Sequence, residues 1–247
     1  MDAFTVIAAV AAVIAGAIAS ISGFGIGSVL TPVLSTEFDV RLAIALVSLP
    51  HLAGTFVRFL LVRTHIDRDV LLGFGAASAI GGLAGASLQA VVQSAALATI
   101  FGLLLVFAGL GSLIGFAQRM RFSGRRSALV GGALSGLLGG LVGNQGGIRA
   151  AALLGFDVER QAFIATATAV ALIVDGARIP VYLVTQGADI AAQWPLILLL
   201  ALGAVAGTLL GERTLRRMSE AVFRRVVGAL LLVLGVYTLA RASFPGS

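Results

Sequence analysis

Long apolar stretches alternate with short polar connections along most of the chain. Eight such segments can be traced, and most are close to the length of about 20 residues that a helix needs to cross a bilayer. These runs are too long for barrel strands, which alternate over about 10 residues. The pattern predicts an all-α integral membrane protein with about eight transmembrane helices. The segments cover approximately residues 3–35, 40–62, 70–91, 97–116, 128–155, 161–185, 191–211 and 222–240.

Glycine and polar residues interrupt the first and fifth segments. The fifth contains GGLVGNQGGIRAAALLG at 139–155, and the first contains SISGFGIGSVLTP at 20–32. Glycine weakens a helix interior, and unwound backbone at membrane depth is tolerated only where it is buried in protein or lines a cavity. We therefore predict that both helices are broken there and that the breaks line a polar site. Each broken segment fits a kinked span, a span followed by a re-entrant half-helix, or two half-helices that meet at midplane.

The two halves of the chain present similar features in the same order. The tripeptide FDV occurs at 38–40 and again at 156–158, and Gly85 corresponds to Gly207. We predict two four-helix repeats. Because four is an even number, both repeats enter the membrane from the same side unless a broken segment is re-entrant in only one of them. Entry from the same side implies a pseudo-two-fold axis along the membrane normal. The predicted units are a first repeat at 1–117, a basic linker at 118–126 and a second repeat at 127–247.

Composition narrows the class of protein further. The chain is 59% hydrophobic and only 11% charged, which excludes a soluble domain. Its net charge of +6 comes from arginines that lie mainly in short loops, so it reflects topology and lipid headgroups rather than nucleic acid binding. Cysteine is absent, which excludes disulfides and thiolate chemistry. Since we find no serine-histidine-acid set, no phosphate-binding loop and no metal-ligand spacing, we expect no enzyme activity, cofactor or metal.

The glycine-rich breaks are candidates for an anion site. A broken helix leaves unpaired N–H groups at the start of its second half, and the helix dipole adds positive potential there. Backbone of this kind binds oxyanions, and neighbouring amide and guanidinium groups can donate further hydrogen bonds. The alternative is that the glycines only allow close helix packing. The predicted substrate-binding residues are Gly25, Gly27, Asn144, Gln145, Gly146, Gly147 and Arg149.

Polar residues on the second and sixth helices are candidates for gating or coupling. Thr168 and Asp175 lie seven residues apart on one helical face, and Arg178 follows Asp175 by three, which predicts an ion pair. Such a pair is either structural or part of a proton or substrate pathway. Arg58 either belongs to the same path or snorkels to the interface, and His51 is a candidate for a coupling proton. The predicted set is His51, Arg58, Thr168, Asp175 and Arg178.

Three sequence stretches resemble the sulfite exporter TauE/SafE family of membrane permeases. They are GALSGLLGG at 132–140, AFIATATAV at 162–170 and ERTLRRMSEAVFRRVVGALLLVLG at 212–235. Where the family usually has a glycine triplet, this chain has GNQGG at 143–147. The resemblance implies transport of small, often sulfur-containing anions such as sulfite or sulfonates across a bacterial inner membrane.

We therefore expect a secondary transporter for a small anion. Its expected partners are the anionic substrate, the lipid bilayer and, as coupling ion, protons that titrate Asp175 or His51. A passive anion channel is the alternative, and a membrane-embedded scaffold or lipid-acting enzyme is the third hypothesis.

Overall fold

The computed structural model describes residues 2–22, 25–114, 125–144, 146–153, 156, 159–214 and 219–243. Across these ranges the regular secondary structure is helical, in agreement with the predicted all-α class. The α-helices are α1 Ala3–Ser22, α2 Ile26–Leu34, α3 Val40–Val62, α4 Arg68–Gln89, α5 Ser94–Ile114, α6 Arg125–Val142, α7 Gly146–Leu153, α8 Arg160–Ala192, α9 Trp194–Thr214 and α10 Glu220–Ser243. A short 3-10 helix, Arg63–His65, follows α3.

Seven of these helices are long and apolar enough to cross a membrane: α1, α3, α4, α5, α8, α9 and α10. The protein is therefore a multi-pass membrane protein, as the hydrophobic pattern predicts. The apolar part of α6, Leu129–Val142, is shorter than a full span. The fifth predicted segment is thus divided between α6 and α7, and an eighth crossing built from the two together stays a prediction.

The first and fifth segments are both broken, at the predicted positions. In the first, α1 ends at Ser22 and α2 begins after Gly25, whose φ of 141° is in the region that favours glycine. In the fifth, α6 ends just before Gly143, which has a φ of 72°. Eight of the nine residues of α2 are buried, so this half-helix lies inside the protein rather than against lipid.

Close glycine contacts join helices of the two predicted repeats. The helix α4 packs on α6, and α9 packs on α1. A Cβ added to Gly85 would collide with the carbonyl oxygen of Leu137, and one added to Gly207 would collide with that of Val13. Because α4 and α9 occupy the same place in the predicted repeats, as do α1 and α6, each of these contacts joins one predicted repeat to the other. The division into two four-helix repeats stays a prediction. Residues 118–124 of the predicted linker lie outside the described residues.

The helices α3 and α8 pack on each other between these two helix pairs. Prolines lie inside both helices, at Pro50 and Pro180. The helix α8 is longer than its predicted segment, but Gln186 has non-helical angles of φ −138° and ψ 19°. The predicted segment, 161–185, therefore ends one residue before a kink that divides α8.

Candidate functional site

The two helix breaks are in contact with each other. A Cβ added to Gly27 would lie 2.5 Å from the carbonyl oxygen of Gly143, so the backbones approach as closely as glycine allows. The hydroxyl of Ser28 donates a hydrogen bond to Oδ1 of Asn144 at 3.4 Å. The N-cap residue of α2 is Gly25, which has no side chain to cap the helix. The starts of α2 and α7 are thus brought to one region, where helix N-termini carry positive potential.

Arg149 lies on α7 close to this region and is buried, with 2% of its surface exposed. Its charge interacts with those of Arg58, Asp175 and Arg178. The predicted substrate-binding arginine therefore belongs to one electrostatic cluster with the three gating residues Arg58, Asp175 and Arg178. A cation in such a place attracts an anion, because little water is present to screen it.

Arg58 contacts the end of the first half-helix. It is buried, and its Nη1 donates a hydrogen bond to the carbonyl oxygen of Ala19 at 2.9 Å. Ala19 lies in the last turn of α1, where carbonyl groups lack partners within the helix and the dipole favours a cation. Arg58 therefore caps α1 from inside the protein, and the alternative of snorkelling to the interface is wrong.

Arg178 makes the equivalent contact with the fifth segment. Its Nη1 donates to the carbonyl oxygen of Gly139 at 2.8 Å, in the last turn of α6. Its Nε and Nη2 lie 3.0 and 2.8 Å from Oδ1 of Asp175, so the predicted ion pair is confirmed. Tyr182, one turn further along, donates a hydrogen bond to the carbonyl of Gly140, and its ring lies 6.0 Å from the guanidinium.

The second oxygen of Asp175 binds His51. Its Oδ2 lies 2.7 Å from Nδ1 of the imidazole, and the carboxylate is fully buried. This contact joins α3 to α8 across the two halves of the chain. Sequence reasoning named both residues as titrating groups but did not predict that they pair, because 124 residues separate them. The sequence did contain one indication that Asp175 has a further partner. A carboxylate buried in an apolar helix is costly unless hydrogen bonds replace its lost hydration.

A small cavity adjoins this network. Its volume is about 10 Å³, roughly what a single water requires. Thr168, a predicted gating residue, lies on its wall with His51 and Arg58. Thr208 of α9 is a lining residue that the sequence analysis missed, because a single threonine in an apolar helix carries no distinctive signal. The lining residues are Ala19, Ile26, His51, Gly54, Thr55, Arg58, Thr168, Ala171 and Thr208.

The described part of the chain therefore brings most of the predicted site residues to one place. Gly25 precedes α2, and Gly146 and Gly147 begin α7 as predicted. Gln145 lies outside the described residues. Ser28, which the analysis did not single out, contacts the second break. In the sequence, Ser28 was indicated by its position directly after Gly27, a predicted ligand.

Comparison with protein families agrees with this architecture. The family model described as sulfite exporter TauE/SafE matches residues 8–238, nearly the whole chain. No curated protein and no solved structure matches. The match includes both helix breaks and the buried charges that surround them. The chain belongs to the sulfite exporter TauE/SafE family of membrane transporters.

Proposed function

We propose that the protein is a secondary transporter that moves a small anion across a bacterial inner membrane. Family membership supports a sulfur-containing oxyanion or an organosulfonate, such as sulfite, as the substrate. The anion would bind between the two repeats, where the broken helices meet. Such a position is typical of transporters whose discontinuous helices point their half-helix N-termini at an anionic substrate.

The observation that carries this proposal is the contact between two helix breaks in a positively charged interior. Among the described residues, the buried side chains of α3, α7 and α8 include three guanidiniums, those of Arg58, Arg149 and Arg178, and one carboxylate, that of Asp175. The N-termini of α2 and α7 add further positive potential. Burying net charge in a membrane protein is costly, so a bound anion stabilises this arrangement.

Each predicted residue has a distinct role in this proposal. The N–H groups that follow Gly25 and Gly146 bind the anion from the two half-helices, together with Arg149. Asn144 and Gln145 donate amide hydrogen bonds from the second break. Because the ligands come from both repeats, a movement of one repeat against the other exposes the anion to alternate sides of the membrane.

The passive anion channel is the rival hypothesis. The cavity beside His51 has a volume of about 10 Å³, enough for about one water molecule, so an anion needs this cavity to widen before it can pass. A change of shape during passage is what the transporter hypothesis requires. Recording from the purified protein in a planar bilayer separates the two hypotheses, because unitary currents indicate a channel and saturable flux without them indicates a transporter.

Anion binding is tested by thermal unfolding of the purified protein with a panel of oxyanions and sulfonates. A ligand at 100 times its Kd adds about 2.7 kcal/mol to the stability of the native state. We expect Arg149→Ala to abolish the anion-dependent rise in Tm. Arg63→Ala is the matched control, because Arg63 is exposed at the end of α3.

Two results would contradict this proposal at different levels. If Arg149→Ala keeps the wild-type response to anions, the site assignment is wrong. If no anion in the panel stabilises the wild-type protein and none is taken up by proteoliposomes, the proposed function is wrong.

A further inference from the structure

The two repeats hold the ends of their broken helices in the same way, with one chemical difference. Nη1 of Arg58 binds the carbonyl of Ala19 at 2.9 Å, and Nη1 of Arg178 binds that of Gly139 at 2.8 Å. Three residues before each arginine, about one helical turn away, the first repeat has the neutral Thr55 and the second has Asp175. Only the second capping arginine therefore has a carboxylate at this place.

That carboxylate connects Arg178 to the imidazole of His51. Asp175 binds Nε of Arg178 through Oδ1 at 3.0 Å and Nδ1 of His51 through Oδ2 at 2.7 Å. Asp175 is fully buried and Arg178 is 1% exposed, so solvent screens these contacts very little. A change of charge on His51 therefore acts on Arg178 through a single shared carboxylate.

We propose that the His51–Asp175 pair binds the coupling proton. We propose further that Arg178 transmits the effect of this protonation to the end of α6 at the second break. Arg58 shares no carboxylate with His51, because Thr55 stands at the equivalent place, so protonation of His51 does not weaken its hydrogen bond to Ala19 by this route. The inference rests on the proposed function, since it assigns a coupling ion to the anion site. The proton comes from water on one side of the membrane and returns to water on the other, and no covalent bond of the protein changes.

The charges around His51 explain why the proton and the anion bind together. From α8 the imidazole binds Asp175, which in turn pairs with Arg178. Arg58 of its own helix lines the same cavity, and the charge of Arg149 on α7 interacts with Arg58, Asp175 and Arg178. The positive guanidiniums destabilise the protonated form of the imidazole, whereas the carboxylate of Asp175 stabilises it. A bound anion offsets part of that opposition, so the protonated pair and the anion stabilise each other.

Two consequences follow for transport. Linkage is reciprocal, so a proton that raises anion affinity is itself bound more tightly when the anion is present. Proton and anion are therefore carried in the same direction. In addition, Asp175 is shared between two cations when His51 is protonated, which weakens its hold on Arg178 and lets the end of α6 move.

The first experiment measures the affinity of the purified protein for methanesulfonate against pH. This probe keeps its charge between about pH 5 and 8, the range in which histidine titrates. We expect affinity to rise as pH falls, with a slope approaching about tenfold per pH unit, the limit for one linked proton. His51→Gln should bind methanesulfonate with no such slope. His65→Gln, at the other and exposed histidine, is the matched control and should keep the wild-type slope.

The second experiment needs no ligand and so tests the relay apart from the proposed function. Hydrogen exchange of the wild-type protein, corrected for intrinsic rates, is compared between about pH 5.5 and 7.5, on either side of the histidine transition. Protection at 139–143 should fall at the lower pH, and protection at 19–22 should not. The difference should be absent in His51→Gln and in Asp175→Asn.

The proposal is overturned if His51→Gln keeps the wild-type pH slope, or if both helix ends lose protection equally. If methanesulfonate and the other anions fail to bind at any pH, the proposed function fails. The exchange measurement then still decides whether the charge of His51 reaches α6.

Discussion

The contact between the two helix breaks can be tested by adding one methyl group to Gly27. A Cβ there would lie 2.5 Å from the carbonyl oxygen of Gly143, whereas ordinary carbon–oxygen contacts begin near 3.4 Å. Because the obstacle is backbone, the two breaks must separate by close to 1 Å in Gly27→Ala. Overpacking of this kind costs about 1–3 kcal/mol.

A matched control removes the effect of helix propensity. Alanine is better than glycine in a helix by about 1 kcal/mol, which would partly hide the steric cost. Gly111 lies in α5, and a Cβ added to it meets nothing within 4 Å. Gly111→Ala therefore reports propensity alone, and its difference from Gly27→Ala isolates the contact between the breaks.

The assay is thermal unfolding in detergent with and without the anion that stabilises the wild-type protein best. For a chain of this size 1 kcal/mol corresponds to about 2–4 °C, so Gly27→Ala should unfold about 2–12 °C below Gly111→Ala. It should also lose most of the anion-dependent shift, because in the proposed site both half-helices contribute ligands. Equal Tm values and equal anion responses in the two variants would show that the breaks do not touch.

Three further predictions concern the network around the site. Asp175→Asn should lower stability to denaturant by about 3–5 kcal/mol, and adding Arg178→Gln should recover part of the loss; no recovery would argue against a buried pair. Tyr182→Phe removes a hydrogen bond to the carbonyl of Gly140, so it should cost about 0.5–1.5 kcal/mol in the same assay and leave the anion response intact. Gly85→Ala forces a methyl group into the backbone of α6 and should lower Tm, whereas a wild-type Tm would contradict the close packing of α4 on α6.

The helix breaks were predictable because the physics involved is local. Glycines and amides within an apolar run conflict with a continuous helix wherever the chain folds. The sequence analysis therefore placed the break of the fifth segment within 139–155, and the structure has it between the end of α6 at Val142 and the start of α7 at Gly146. The same local reasoning predicted the pairing of Asp175 with Arg178, since both lie on one helical face.

Contacts between helices were much less predictable. Periodicity indicates which residues share a helical face, but it does not determine the axial offset, or height, of one helix relative to the helix it packs on. The pairing of His51 with Asp175 depends on that height, as does the hydrogen bond from Arg58 to Ala19. The kink at Gln186 is different, because it adjoins Gly187 and the end of the predicted segment at residue 185, so local sequence indicates it.

A helix break alone does not make an anion site, because it presents two opposite helix ends. The N-terminus of α2 or α7 is positive, but the C-terminus of α1 or α6 presents its last carbonyl groups and a comparable negative potential close by. Arg58 and Arg178 each donate to one of those carbonyls, so their charges offset the negative ends. The positive potential of the N-terminal ends is then left to act on the space between the repeats. On this reasoning the two arginines contribute to anion binding without touching the anion, and a chain with the same breaks but neutral residues at 58 and 178 would bind anions weakly.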